Sequence, residues 1–305
     1  MIIYELGAFL RWAREERGIT MAELAKSCDI TIPTISRIES GLHRPNKHTT
    51  DMLIQKLGYD FTNLGMHFVT QKDLKIQSLM DEIDNRLIRK KNEEAQKLLK
   101  ELKESEGFES DKINKQYYMF VEILLDKNKG VENNIILERL KEAARFNIPS
   151  FDEKKIPDYF LSRQDLRIIN MMAIIYHEEG ELDKAIEIML ALKENFDRKS
   201  ICKNHRGKNY PLIIYNLTKY LNMLDRHKEV IELCDTGIEV CRYTGFHYQL
   251  PTIAANKASS LFKLGFKEES EELFRQSYYT LLLDGRSNLA KILKNHTQEE
   301  LSMAL

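Results

Sequence analysis

Residues 20–41 read TMAELAKSCDITIPTISRIESG, and this stretch decides the fold. Thr20 followed three residues later by Glu23 is a capping box, so a helix opens there and runs through Leu24 and Ala25 to about Ser27. Cys28-Asp29-Ile30 makes a turn. Thr31 caps the next helix, with Pro33 in its first turn, where a missing N–H costs nothing. That helix continues to Ser40 and stops at Gly41. Leu24 and Ala25 on one helix face Ile35 and Ile38 on the other, so two short helices are clamped across a tight joint. Upstream, residues 5–17 carry Leu6, Phe9, Leu10 and Ala13 at helical spacing, and Gly18 ends that helix. Trp12 reads as a core or domain-contact aromatic. Downstream, the loop LHRPNKHT (42–49) leads to a helix over 50–57 closed by Gly58, and a short fifth helix is expected over 60–66.

Leu24-Ala25, Ile30, the string Ile35-Ser36-Arg37-Ile38-Glu39, Gly41 and Pro45 resemble a helix-turn-helix of the phage-repressor or Cro type, over about sixty residues. The resemblance implies that the third helix enters a major groove of double-stranded DNA. The exposed side of that helix would carry Thr31, Ile32, Pro33, Thr34, Ser36 and Arg37. Thr34 and Ser36 suit base edges, Ile32 a thymine methyl, and Arg37 a guanine or a phosphate. Thr20 and Met21 open the second helix, whose free N–H groups suit a phosphate, although the family commonly has Gln where Met21 stands. His43, Arg44, Asn46 and Lys47 add a local basic cluster in the loop. A pairing of Arg37 with Glu39 or Asp29 stands as the purely structural alternative. Over residues 1–66, Lys and Arg number eight and Asp and Glu number eight, so non-specific DNA affinity should be modest and salt-sensitive. So small a module implies a homodimer reading a palindromic operator.

The whole chain has 305 residues and a formal net charge of −1, which excludes a global basic field. Gly and Pro together are 13 plus 6, too few for an all-β fold rich in tight turns. Hydrophobic content of 43% with 30% charged residues fits long amphipathic helices and excludes wholesale disorder. The expected class is all-α: a helix-turn-helix head over 1–66, a linker over 67–72, and an α-solenoid over 73–305. Cys28, Cys202, Cys234 and Cys241 form no CxxC and no zinc spacing, so reduced, buried thiols are expected, with no metal and no cofactor. No stretch of eighteen apolar residues occurs and the N-terminus is broken by charges, so no membrane association and a cytoplasmic location are expected.

From about residue 70 the helices read in pairs: 73–90 with 92–105, 111–127 with 132–146, 158–179 with 182–196, 209–224 with 227–243 and 248–264 with 267–283, closed by 286–304. The loop 147–157 holds two prolines and four charges and is expected to be a flexible joint. YHEEGELDKAIEIM (176–189), LNMLDRHKEVIELC (221–234) and LFKLGFKEESEELF (261–274) each place a turn residue, Gly180, Asp225 or Gly265, five before Ala185, Val230 or Ser270. Together with Ala173 and Tyr176, this resembles the tetratricopeptide repeat at a longer period. One helix pair cannot bury its apolar faces; a stack of pairs can, and a stack has a concave face.

In clamps of that repeat family an inward Asn hydrogen-bonds a bound peptide, which the resemblance carries to Asn216 and Asn256. On the same face fall Lys219 and Met223, then Thr252, Ser259 and Lys263; in the preceding repeat Arg167 faces inward and Asn170 is one position out of register. The ligand expected there is a short signalling peptide with a free carboxylate or an acidic residue. The alternative is that Asn216 and Asn256 only bond between repeats. Tyr215, Tyr220, Tyr243 and Tyr248 read as packing residues.

A Cro-type head followed by long repeats, with LSRQDLRIINMMAIIYHEEG (161–180) and IYNLTKYL (214–221), resembles the peptide-pheromone regulators of Gram-positive bacteria, the Rgg and PlcR group. The resemblance implies a peptide-controlled transcription regulator in quorum sensing. Two other readings are a ligand-independent phage or mobile-element repressor and an interaction module that inhibits an enzyme. Catalysis is not expected: no HExxH, GxSxG or P-loop occurs.

Overall fold

The computed structural model describes residues 2–43, 45–58, 71–106, 108–109, 112–198 and 203–300. The described residues are helical, without strands. The chain parts into two compact units, one reaching Gly180 and one beginning at Glu181.

In the first unit, α1 (Ile2–Glu16), α2 (Met21–Ser27), α3 (Ile32–Glu39) and α4 (Lys47–Lys56) form the head. Leu6, Leu10, Ala13, Ile19, Leu24, Ala25, Cys28, Ile35, Ile38, Leu53, Ile54 and Leu57 make its core. The capping box at Thr20 forms as the sequence demands: Glu23 N donates to Thr20 Oγ1, and Thr20 N donates to Glu23 Oε2 at 2.7 Å. Helix α4 starts at Lys47, earlier than the expected 50, because Asn46 caps it by accepting from Thr49 N at 2.8 Å. Trp12 is half exposed against Phe9 and so is no core residue. The fifth head helix expected at 60–66, and nearly all of the linker, lie outside the described residues; Gln71 and Lys72 already belong to the next helix.

That helix, α5 (Gln71–Ile88), pairs with α6 (Asn92–Glu104), and α7 (Lys112–Asn128) pairs with α8 (Asn133–Asn147). Helix α9 (Arg163–Glu178) closes the first unit. The expected flexible joint at 147–157 is instead built. Residues Glu153–Asp158 form a 3-10 helix with Ile156 fully buried, and Tyr159 Oη donates to Ser150 O and accepts from Asp152 N. Tyr176 Oη donates to Glu153 from α9. Helix α9 therefore starts five residues later than expected, at a capping box of Ser162 with Asp165.

The second unit holds α10 (Leu182–Arg198), α11 (Lys203–Asn222), α12 (His227–Thr244), α13 (Leu250–Lys263), α14 (Lys267–Leu283) and α15 (Ser287–Glu300). Consecutive helices pack, and α11 also packs on α13. The turn residues Gly180, Asp225 and Gly265 all have positive φ, and Ala185, Val230 and Ser270 are fully buried, as the repeat pattern requires. Lys90 (φ 58°) with buried Ala95 extends the same pattern to the pair α5–α6. Helix α11 begins six residues before the expected start. Its early turns carry Gly207, where a Cβ would lie 2.5 Å from the Phe246 ring and 2.6 Å from Thr244, so glycine lets α11 press against the end of α12.

Candidate functional site

The head presents α3 outward through a buried brace. Arg14 on α1 reaches Glu39 at the end of α3, with Nε–Oε1 at 2.6 Å and Nη2–Oε2 at 2.8 Å, and its Nη1 donates to Ile19 O. Both side chains are under a tenth exposed. The Glu39 hydrogen bond holds the Arg14 guanidinium charged, raising its pKa despite burial. Gly7 lets α1 approach the end of α3: a Cβ there would sit 2.4 Å from Ile38 O. Glu39 is thus spent on Arg14, so the structural alternative of an Arg37–Glu39 pair does not arise. Arg37 is exposed and has no ion pair among the described residues.

Ile32, Pro33, Ser36 and Arg37 are exposed together on α3. Thr31 caps the helix, and its hydroxyl lies 2.8 Å from that of Thr34, so these two share one polar point. Thr20 is exposed and bound to Glu23. Met21 is partly buried against the head core. Parts of the expected basic loop have other partners. Lys47 pairs with Asp51 at 2.8 Å, Asn46 is a cap, His43 is exposed, and Arg44 lies outside the described residues.

Within the first unit, described residues of the head and the repeats meet at a buried point. Lys56, at the end of α4, donates to Phe160 O at 3.0 Å and lies 3.6 Å from Asp165 Oδ2 on α9. Phe160 packs on the head core. Asp165 is fully buried and accepts from Gln116 on α7, Asn147 on α8 and Ser162. A buried carboxylate is tolerable only with this many donors. Sequence patterning did not reveal the junction, because its partners are 109 and 104 residues apart in no repeat register.

Of the expected sensor residues, Arg167 and Asn170 lie in the first unit and the rest in the second. Arg167 makes two bonds to Asp84 on α5, at 2.9 and 3.2 Å, and lies over the Phe120 ring. Asn256 Nδ2 donates to Tyr215 O and to Thr218 Oγ1 on α11, so its donor is used between helices. Asn216 is buried. Thr252 bonds Gln249 and Ser259 bonds Ala255 O, both on their own segment. Met223 and Lys263 are exposed, and Lys219 lies over its neighbour Tyr220. Tyr220 packs as expected, but Tyr243 and Tyr248 are exposed and carry Lys203 and Arg286 over their rings.

Cys28, Cys234 and Cys241 are buried free thiols. Burial pushes Cys234 up to about 12 and Cys241 up to about 11. No cluster of three His, Cys, Asp or Glu fit to hold a metal occurs among the described residues. Among them, no helix is long and apolar enough to cross a membrane.

Residues 10–64 match the helix-turn-helix family model. No curated protein matches the sequence. Two solved structures of PlcR from Bacillus thuringiensis are similar over nearly the whole chain. The complex with the peptide PapR7 and DNA has a TM-score of 0.60 at 20% identity, covering 96% of this chain and 99% of that one. The apo form has a TM-score of 0.58 at 19% identity, covering 96% and 98%. The chain therefore carries a helix-turn-helix domain over residues 10–64 and has an all-α, repeat-bearing fold that it shares with PlcR.

Proposed function

We propose that this protein is a sequence-specific DNA-binding transcription regulator whose repeats bind a short signalling peptide that alters DNA binding. The observation that carries the reading is the exposed, unpaired Arg37 on a braced α3, inside a matched helix-turn-helix domain. Similarity in fold to PlcR, which has been solved with a peptide and DNA, supports the peptide half. In this reading Ile32, Thr34, Ser36 and Arg37 read base edges, and Thr20 holds a phosphate. The regulator acts in the cytoplasm as a homodimer on a palindromic operator. Arg167, Asn170, Asn216, Lys219, Met223, Thr252, Asn256, Ser259 and Lys263 are the candidate peptide contacts. A peptide changes DNA affinity only to the extent that it binds two arrangements of the protein unequally.

The test is a titration of the full chain onto its own upstream DNA, with and without a pool of random hexapeptides. Specific binding that the pool shifts supports both halves. Absence of specific binding refutes the reading.

The engaged Asn256 amide favours a second reading, in which the repeats only dimerise or hold another protein and the regulator is ligand-independent. Specific DNA binding that no peptide shifts, and that N256A leaves unchanged, is the outcome this reading requires.

A further inference from the structure

We infer that Arg167 is a carboxylate-binding site held shut by Asp84, and that a ligand carboxylate acts by taking Asp84's place and releasing α5. The inference rests on the peptide reading above and specifies its chemistry.

Asp84 on α5 and Arg167 on α9 form a bidentate pair. Such fork geometry is the arrangement by which Arg recognises any carboxylate, whether a side chain or a chain terminus. Each side chain of the pair is about a quarter exposed, 26% for Arg167 and 27% for Asp84, so an incoming carboxylate has access. The guanidinium does not depend on Asp84 for its position. It lies 4.9 Å from the Phe120 ring centre and 5.7 Å from that of Tyr117, both buried on α7, and Nη1 is 3.4 Å from Gln164 Oε1. Gln164 is itself more than nine-tenths buried, and its Nε2 has no hydrogen-bond partner. An unused amide donor on the residue that contacts the guanidinium is an unmet demand for an acceptor at this spot.

Asp84 also has a second partner, on α7. Tyr117 Oη lies 3.1 Å from Asp84 Oδ1 and 2.8 Å from Met80 O, sharing one proton between them. Burial and the Asp84 charge push the Tyr117 pKa up, so the hydroxyl stays a donor. Loss of Arg167 therefore leaves Asp84 hydrogen-bonded and partly hydrated. The pair ties α5 to α9 across α7, and α5 is the first described helix after the head. Exchange of one carboxylate for another on Arg167 thus costs little at the site, yet removes the tie between α5 and α9.

The experiment uses the full chain in two arms. The first is hydrogen exchange without ligand. D84N should raise exchange of α5 amides over residues 76–88 several-fold while α12 and α13 stay unchanged; exchange equal to wild type overturns the tether. The second is retention of random hexapeptides, read by mass spectrometry, from a free-acid pool, a C-amidated pool and a pool lacking Asp and Glu. Wild type should retain free-acid peptides, R167M at least tenfold fewer, and D84N several-fold more, because the competitor is gone. R167M keeps the apolar stem on Phe120, so a folded variant is obtained. Loss with the amidated pool assigns the chain terminus, and loss with the acid-free pool assigns a side chain. Retained peptides should raise α5 exchange in wild type as D84N does. Peptides retained equally by wild type, R167M and D84N overturn this inference and leave the peptide reading standing. No retention by wild type overturns both.

Discussion

Two Arg–carboxylate forks among the described residues differ in one respect. Arg14–Glu39 in the head and Arg167–Asp84 in the repeats are both bidentate and both join helices distant in sequence. The first is sealed, with side chains 8% and 4% exposed; the second is open at about a quarter. Sealing removes the competitor, water or ligand, so the first pair fixes α3 permanently. An open pair gains little net stability and can be exchanged. The same chemistry is a brace at one burial and a switch at another.

Breaking the sealed pair should have the largest effect. E39Q leaves the Arg14 charge buried without its counter-ion, which should destabilise the head by about 3–5 kcal/mol; a head that melts as wild type would contradict the brace. G7A acts on the same contact by pushing Ile38 O, and should cost roughly 1–3 kcal/mol. Thermal melting followed by circular dichroism reads both. Next comes R37A, which should leave melting unchanged but weaken discrimination at one operator position by about 1–3 kcal/mol. D84N, on the open pair, should shift melting by less than about 1 kcal/mol while changing α5 exchange; a loss as large as that of E39Q would erase the distinction between the forks. The smallest effect is expected at the buried thiols. With Cys202 replaced by Ser, Cys28, Cys234 and Cys241 should stay unlabelled by Ellman's reagent at pH 8 until denaturant is added, because burial holds all three pKa values above their ordinary range.

Much of the head was legible because its signals are local. The Thr20–Glu23 box, the Thr31 cap and the apolar clamp of Leu24 and Ala25 with Ile35 and Ile38 are all set within four residues or at helical spacing. The repeat turns were legible for the same reason, since Gly180, Asp225 and Gly265 punctuate amphipathic helices. What escaped was long-range and polar. Glu39 looked like a neighbour for Arg37 and is instead consumed by Arg14, twenty-five residues away. Lys47 and Asn46 read as a basic loop, but a helix start recruited both. The prolines and charges of 147–157 suggested mobility, whereas Ile156 and the Tyr159 and Tyr176 hydroxyls pin that segment down. Asn256 carried the amide expected of a peptide contact, and packing of α13 on α11 used its donor. Residue type told which chemistry was present; only tertiary placement told which partner took it.

The most direct test of the central claim is selection from a random double-stranded DNA pool at moderate salt, run with wild type and with R37A. The account predicts that wild type enriches a palindromic sequence with half-sites about one turn apart, and that R37A loses enrichment at one position of each half-site. Wild type that enriches no sequence, or R37A that enriches the identical sequence, would contradict α3 as the reading element.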